Sequence, residues 1–314
     1  MVATSAPAPA IETHGLTRRF DGRAAVEDLS IAIAHGTVFG FLGPNGAGKT
    51  TTVRMLAALI APTDGGAIVA GHPLGVDDTA LRRSVGILTE TPGLYDRLSA
   101  RQNLRYFALL YDLDRAETEK RVDHYLHLLG LWERRDDPVG AFSKGMRQKL
   151  AIARALLHEP AVVFLDEPTA ALDPEAARTV RDFVKGLRAE GRTIFLTTHN
   201  LPEADELCDT IGIFQRRLLR MGSPAELRAG LFGAGTVVRV GGDARPLLRV
   251  AAELPFVRDA RADGDALTVQ LDDPDARNPD LVAALLAAGA RIRYVERIQH
   301  SLEDVYLRLV GART

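Results

Sequence analysis

The chain has 314 residues, of which 46% are hydrophobic and 25% charged, ordinary values for a globular protein with room for two domains. The formal net charge of −2 gives no basis for a nucleic-acid partner bound through a global positive field. A single cysteine, Cys208, excludes an internal disulfide and a cysteine-cluster metal site, and it fits a reducing compartment. No apolar run reaches the length needed to span a bilayer.

The first ten residues, MVATSAPAPA, lack the basic start and apolar core of a signal peptide. We therefore expect residues 1–10 to form a disordered tail. Residues 11–42 are predicted to form short strands joined by turns. The last of these, Val38–Leu42, is apolar throughout, which is typical of a buried parallel strand.

A glycine-rich motif follows this strand and fits the spacing glycine, four residues, glycine, lysine, serine or threonine. A helix is predicted behind it from Thr52 to Ile60. Glycines let successive backbone N–H groups face a phosphate, and the helix N-terminus adds partial positive charge. The lysine brings a full charge to the outer phosphates, and the first threonine hydroxyl can ligate Mg²⁺. The predicted nucleotide-phosphate site consists of Gly43, Pro44, Asn45, Gly46, Ala47, Gly48, Lys49, Thr50 and Thr51.

Helical signals dominate the next part of the chain, after strands predicted at residues 68–70 and 85–89. Ser99 with Gln102 forms a capping box, and Asp114 with Glu117 repeats that pattern for a second helix. We expect residues 92–158, approximately, to be a helical subdomain inserted in an α/β framework.

The α/β pattern then returns with a predicted strand at residues 161–165 that ends in Asp166 and Glu167. Parallel sheets place their ligands at the carboxyl ends of strands. Asp166 fits an Mg²⁺ role, directly or through water, and Glu167 can accept a hydrogen bond from the attacking water as its positioner or general base. Later strands alternate with helices that begin at Asp173-Pro174 and Leu201-Pro202, which predicts a mostly parallel sheet.

Beyond about residue 233 the pattern changes again. We predict a strand at 236–240, a helix at 244–254, two strands that meet at Asp263-Gly264, a helix that starts at Asn278-Pro279, a strand at 292–298 and a last helix at 301–310. This β-α-β-β-α-β order predicts a small α+β, ferredoxin-like domain over residues 234–312. It carries no catalytic cluster in its sequence, so we interpret it as an accessory or dimer-stabilising domain.

The segment Phe142–Gln148 would by itself be a capped helix, but it precedes the Asp166 strand, and Leu172-Asp173 and Thr197-Thr198-His199 follow. This ordered set resembles the nucleotide-binding domain of ABC transporters over roughly residues 10–230. The resemblance implies a P-loop NTPase fold, an ABC cassette at residues 11–230, with ATPase activity. In it, Ser143, Lys144, Gly145 and Met146 correspond to a variant signature motif, Asp173 to the D-loop and His199 to the switch histidine.

The resemblance also implies partners and ligands. Two cassettes, as a homodimer or with a paralogous ATPase, bind head to tail, and each ATP with its Mg²⁺ lies between one chain's P-loop and the other chain's signature helix. His199 would touch the γ-phosphate and the attacking water. Phe20 corresponds to the aromatic residue that stacks on adenine, with Val26 beside it. No nucleic acid is expected.

Three residues depart from the family pattern. Glu90 stands where the family usually has the glutamine that links Mg²⁺ to the transmembrane partner; a carboxylate can also ligate the metal, but it adds charge. Lys144 replaces the first glycine of the signature, and Met146 replaces its final glutamine. Lys144 either helps to bind phosphate across the interface or points to solvent.

These variants, together with the ending from Gln299 and His300 to Leu307, resemble the exporter branch of drug-resistance, polysaccharide-export and sodium-efflux ATPases. The resemblance implies a cytoplasmic subunit, peripheral on the inner face of the membrane, whose separate transmembrane permease docks beside Glu90 and residues 94–106. The alternatives are a soluble ABC ATPase that acts on ribosomes or DNA, and an importer ATPase. The single cassette and the lack of a long heptad run disfavour the first, and the signature variant and ending disfavour the second.

Overall fold

The computed structural model describes residues 8–232, 235–271, 273–298 and 300–311. Residues 1–7 of the predicted tail lie outside these ranges, and so does Gln299. Ala10, by contrast, is fully buried, and its amide donates to the carbonyl of Ile33 at 2.8 Å, so the packed chain already includes this residue. The chain divides into two compact units, Met1–Pro224 and Ala225–Thr314.

The first unit contains eleven strands and seven helices within the described ranges. The strands are β1 (Ile11–Phe20), β2 (Arg23–Leu29), β3 (Ala32–Ile33), β4 (Val38–Leu42), β5 (Asp64–Val69), β6 (His72–Pro73), β7 (Val85–Leu88), β8 (Val162–Asp166), β9 (Thr193–Thr198), β10 (Thr210–Gln215) and β11 (Arg217–Gly222). The helices are α1 (Lys49–Leu56), α2 (Asp78–Ser84), α3 (Ala100–Leu110), α4 (Arg115–Leu128), α5 (Lys144–Leu156), α6 (Pro174–Ala189) and α7 (Leu201–Leu207). Three of them, α3 to α5, follow one another without an intervening strand.

Two sheets form this unit. The larger has the order β11-β10-β4-β9-β8-β7, in which five neighbouring strands are parallel and β11 is an antiparallel edge. The smaller is antiparallel, with the order β2-β1-β5-β6 and β3 beside β1. The predicted mostly parallel sheet is confirmed, and β4 lies inside it because all five of its residues are buried and apolar or glycine.

Phenylalanine side chains fill the centre of the larger sheet. They are wholly buried and come from four adjacent strands: Phe39, Phe41, Phe164, Phe195 and Phe214. The rings of Phe41 and Phe214 lie 4.4 Å apart between centroids. This packing fixes the register in which Leu42 is paired with Thr198, and Asp166 with Thr197. The carboxyl ends of β4, β8 and β9 therefore meet at one edge of the sheet.

Two predicted helix starts are wrong. Helix α1 begins at Lys49 rather than Thr52 and ends at Leu56, because Gly48 in a left-handed conformation (φ 106°) already completes the preceding loop. In the second unit, the helix expected to start at Asn278-Pro279 begins at Pro274, since the Asp273 side chain caps its first turn. Pro279 lies inside that helix and removes one backbone hydrogen bond from it.

The second unit is a four-stranded antiparallel sheet with helices. Helix α8 (Pro224–Phe232) spans the division between the units, and the remaining elements are β12 (Gly235–Val240), α9 (Leu248–Ala252), β13 (Val257–Asp263), β14 (Ala266–Leu271), α10 (Pro274–Ala287), β15 (Ile292–Arg297) and α11 (Leu302–Gly311). The helix predicted at 244–254 is a 3-10 turn, Arg245–Leu247, followed by α9. The sheet order β13-β14-β12-β15 confirms the ferredoxin-like prediction.

No helix in the described ranges is both long and apolar enough to cross a bilayer.

Candidate active site

The glycine-rich loop joins β4 to α1 at the edge where the parallel strands end. Gly43 and Gly48 are required there by close approach: an added Cβ would lie 2.2 Å from the carbonyl oxygen of Phe214 at Gly43, and 2.2 Å from that of Ala25 at Gly48. Gly48 also has a left-handed backbone, which L-residues rarely adopt. The loop is thus held against two neighbouring strands, and its shape is a property of the fold.

Lys49 reaches back over the loop. Its side chain is only 6% exposed, and its ammonium donates to the carbonyl of Gly43 at 2.7 Å and lies 3.2 Å from Oε1 of Glu167. A cavity of about 370 Å³ opens beside it, lined by Ala25, the loop residues from Pro44 to Thr51, Glu90 and Glu167. The cavity combines loop N–H groups, a cation and two carboxylates, which suits an anionic ligand that brings a cation with it.

Asp166 ends β8 and is 1% exposed. Its Oδ1 accepts a hydrogen bond from the Thr197 hydroxyl at 2.5 Å, while its Oδ2 is buried and has no hydrogen-bond partner within the described part of the chain. A buried carboxylate oxygen without a donor is satisfied by a cation or by a cation-bound water. The described residues hold no group of three histidine, cysteine or acidic side chains arranged for a metal. The unpartnered oxygen of Asp166 by itself fits Mg²⁺, which needs only one or two carboxylates beside substrate phosphates and water.

Glu167 is the next residue, and its carboxylate joins two other predicted site residues. Oε1 lies 3.2 Å from Nζ of Lys49, and Oε2 lies 2.8 Å from Nδ1 of His199. Its backbone is left-handed, with φ 50°, and its amide donates to both the carbonyl and the hydroxyl of Thr197 at 3.1 Å. The backbone of β9 thus aims this carboxylate at the loop, and the sequence order alone could not show that contact.

The predicted signature segment begins helix α5. Ser143 is its N-cap and accepts a hydrogen bond from the amide of Met146 at 3.2 Å. Ser143 and Lys144 are exposed, Gly145 and Met146 are partly exposed, and none of the four lines the cavity at Lys49. The structure thus leaves this helix N-terminus, Lys144 included, on the surface of the chain.

The remaining predicted nucleotide contacts are spread over the unit. Phe20 is 44% exposed, with the Arg18 guanidinium 4.6 Å from its ring centroid. Val26 is fully buried and has no surface to offer a base; its neighbour Ala25 lines the cavity, so the structure favours Ala25 in that place. Asp173 is exposed and caps α6 by accepting from the amide of Ala176 at 2.8 Å.

Four supporting residues were missed by the sequence analysis. They share a position at the edge of the site and hold its parts together: Gln148, Thr197, Thr198 and Glu203. Gln148 donates from α5 to the carbonyl of Pro168 at 2.8 Å, which ties the signature helix to the turn after Glu167. The one sequence signal available was the polar ending, Thr197-Thr198-His199, of an otherwise apolar strand.

Two family models match the chain. One, described as ABC transporter, matches residues 26–170, and the other, described as ATP-binding protein DrrA1-3-like, C-terminal domain, matches residues 222–310. The Nod factor export ATP-binding protein I of Ralstonia nicotianae is 36% identical over 309 residues, covering 96% of this chain and 94% of that protein. This chain belongs to the ABC transporter ATP-binding proteins.

The ABC ATPase is also 35% identical over 313 residues to the daunorubicin/doxorubicin resistance ATP-binding protein DrrA of Streptomyces peucetius, covering 97% of this chain and 93% of that protein. A solved structure titled "Structure of ATP binding subunit of ABC transporter" matches with a TM-score of 0.67 and 32% identity, over 71% of this chain and 94% of that one. The predicted ABC cassette and ATPase class are confirmed, and so is the resemblance to the export and drug-resistance branch.

Proposed function

We propose that this ABC ATPase drives export through a separate transmembrane permease, to which it binds on the cytoplasmic face of the membrane. The names of two relatives support export: one is a Nod factor export protein and the other a drug-resistance protein. The proposed docking surface, beside Glu90 and residues 94–106, includes Tyr95 and Tyr106, which are partly exposed and meet edge to face at 5.1 Å between ring centroids. Exposed aromatic side chains are enriched at protein interfaces.

The observation that carries the catalytic assignment is the double contact of Glu167 with Lys49 and His199. In the proposed reaction, Lys49 binds the outer phosphates and neutralises charge that develops on them. Glu167 accepts a hydrogen bond from the attacking water, and His199 contacts that water and the γ-phosphate. Because Glu167 contacts both Lys49 and His199 beside the loop, we place the γ-phosphate of an ATP held by the loop amides next to these three side chains.

Thr50, Asp166 and Glu90 would hold Mg²⁺, which supplies charge neutralisation for the β- and γ-phosphates when bound. Asp166 has the unpartnered Oδ2, and Thr50 and Glu90 are among the residues that line the cavity. Phe20 is proposed to stack on the adenine, because its half-exposed ring lies on the same unit as the loop.

We further propose a head-to-tail dimer, of two copies or with a paralogous ATPase, in which the partner's signature helix closes each site over ATP. The exposed N-terminus of α5 supports this arrangement, because its free N–H groups suit the γ-phosphate and they do not line the chain's own cavity. Asp173, also exposed, would lie at the same interface.

Sedimentation of the Glu167→Gln protein with and without Mg-ATP tests the shared site. We expect ATP to convert monomers to dimers, because binding closes the interface and the variant cannot reopen it by hydrolysis. Adding Ser143→Asp should abolish that dimer: aspartate caps a helix as well as serine does, but its charge repels the γ-phosphate. Ser143→Asn, a neutral cap, is the matched control and should dimerise. Equal dimerisation of the Ser143→Asp protein would refute the proposal.

A further inference from the structure

Glu203 is a buried carboxylic acid close to the proposed catalytic pair. It is the third residue of α7, is 2% exposed, and lies four residues after His199 in the chain. Its Oε2 accepts a hydrogen bond from the Thr198 hydroxyl at 2.9 Å. Burying a carboxyl group is costly, so its presence here needs a reason.

The hydrogen bonds of Glu203 close a ring around the turn that carries His199. The Thr198 hydroxyl donates to Glu203 and accepts from the amide of Asn200 at 2.9 Å. The Asn200 side chain in turn accepts from the amide of Glu203 at 3.2 Å. His199 is the one residue between Thr198 and Asn200, so both ends of its backbone are fixed by the same ring.

The opposite face of the strand holds the carboxylates of the site. Successive strand residues point to opposite faces, and Thr197 and Thr198 follow this rule. The Thr197 hydroxyl donates to Asp166 at 2.5 Å and accepts from the amide of Glu167 at 3.1 Å. The end of β9 is therefore tied to Asp166 and Glu167 on one side and to Glu203 on the other.

The contact between Glu167 and His199 needs such support. The His199 side chain is 57% exposed, and a single exposed hydrogen-bond contact holds two side chains in place only weakly. Burial, the largest influence on the pKa of Glu203, raises it, and the nearby charge of Glu167 raises it further, against the opposing effect of the Thr169 and Thr198 hydroxyls.

We propose that Glu203 is a positioning residue for ATP hydrolysis: it fixes the His199 turn through Thr198 so that His199 meets Glu167 at the γ-phosphate. The inference rests on the proposed roles of Glu167 and His199. It assigns to Glu203 no contact with the nucleotide, and it predicts that the carboxyl acts as a hydrogen-bond acceptor and not through its charge.

The test compares Glu203→Ala with Glu203→Gln in the full chain. Because misplacement of a reacting group by about 1 Å costs about 10²-fold, we expect Glu203→Ala to lower kcat by about 10- to 100-fold. The KM for ATP should stay within about threefold, since the glycine-rich loop is untouched. Glutamine keeps an acceptor oxygen for Thr198, so Glu203→Gln should recover kcat to within about threefold of the wild type. Glu206→Gln, on the exposed side of the same helix, is the control and should behave as wild type.

Thr198→Val removes the hydroxyl from the other end of the bond and covers the case in which Glu203→Ala does not fold. It should lower kcat as Glu203→Ala does. An unchanged kcat in both variants, or a loss of ATP affinity equal to the loss of kcat, would overturn the proposal. Glu167→Gln separates it from the proposed function: normal hydrolysis by that variant refutes the role of Glu167, whereas an inactive Glu167→Gln beside a fully active Glu203→Ala refutes only the role of Glu203.

Discussion

The two parts of the nucleotide machinery in the first unit differ in how far the chain completes them. At the glycine-rich loop, Lys49 and Asp166 are almost fully buried, and each already has a partner in the same chain. At the signature helix, Ser143 and Lys144 are exposed, and neither residue lines the cavity at Lys49. Folding of the chain sets the geometry of the buried part, whereas the exposed part remains accessible to another molecule. The difference agrees with the proposed dimer, in which one chain builds the phosphate site and a second chain supplies the other half.

Replacing Glu167 by glutamine should have the largest effect on the completed part. Loss of a general base or water-positioning group lowers the rate by about 10²–10³ or more, so we expect hydrolysis to fall by that factor. ATP binding should persist, because the loop and Lys49 remain. Steady-state turnover measures the loss of hydrolysis, and a separate measurement of ATP affinity checks that binding persists. Hydrolysis at the normal rate would show that Glu167 does not have the assigned role.

The C-terminal end of the signature helix gives a second test, because it is buried whereas the N-terminal end is exposed. His158 follows α5, stacks on Tyr111 at 3.8 Å between ring centroids and lies 3.0 Å from the carbonyl of Val85. Burial lowers its pKa to about 4 from an ordinary 6.5, so the unfolded chain binds the proton more readily than the folded one. Above about pH 6.5 the neutral imidazole therefore contributes about 3 kcal/mol to the free energy of unfolding. This contribution is lost as the pH falls from about 6.5 to about 4.

Urea unfolding at about pH 7 and about pH 5 measures this contribution, about 2 kcal/mol of which should be gone at the lower pH. His158→Gln keeps an N–H for Val85 but cannot titrate, so its stability should depend less on pH than that of the wild type. An identical acid dependence in the two proteins would place the titrating group elsewhere.

A matched pair of variants separates the two parts directly. Lys49→Ala removes a charged donor and should weaken ATP binding by about 10- to 100-fold, as expected for a lost charge-assisted hydrogen bond. Ser143→Asp should leave the ATP affinity of the monomer unchanged while it prevents hydrolysis, since Ser143 lies outside the cavity of its own chain. Calorimetric titration with ATP compares the affinities of the two variants. If Ser143→Asp weakens monomer binding as Lys49→Ala does, both residues bind ATP in one chain and the division is wrong.

Phe20→Ala should have the smallest effect. The ring is half-exposed, so stacking on a base is worth about 1 kcal/mol and its loss lowers ATP affinity by about fivefold. Turnover at saturating ATP should not change. Phe20→Tyr, which keeps the aromatic face, is the control and should bind as the wild type does, whereas equal affinity of the alanine variant would exclude stacking.

The sequence predicted the parts of the site that depend on local chemistry. The glycine spacing, the carboxylates at the end of β8 and the N-cap at Ser143 are all properties of short segments, and the structure has each of these segments where it was expected. The contacts between segments were not predictable. The pairing of Asp166 with Thr197 depends on sheet register, and the polar ending of the strand does not show which carboxylate lies beside it.

Local rules also failed where a neighbouring residue outweighed them. Asn278-Pro279 has the form of a helix start, but Asp273 caps the chain earlier and Pro274 occupies the first turn, so the helix passes through Pro279. Val26 was expected beside the adenine because of the family resemblance, but the strand turns it inward while Ala25 lines the cavity. In both cases the local pattern was real and the packing around it decided the outcome.

The backbone of Glu167 is left-handed, with φ 50°. A side chain other than glycine in this conformation costs about 1 kcal/mol. Glycine would relieve that strain, but it would also take away the carboxylate that lies 3.2 Å from the buried ammonium of Lys49. Because a buried charge that loses its partner costs more than this strain, Glu167→Gly should lower the free energy of unfolding as well as turnover.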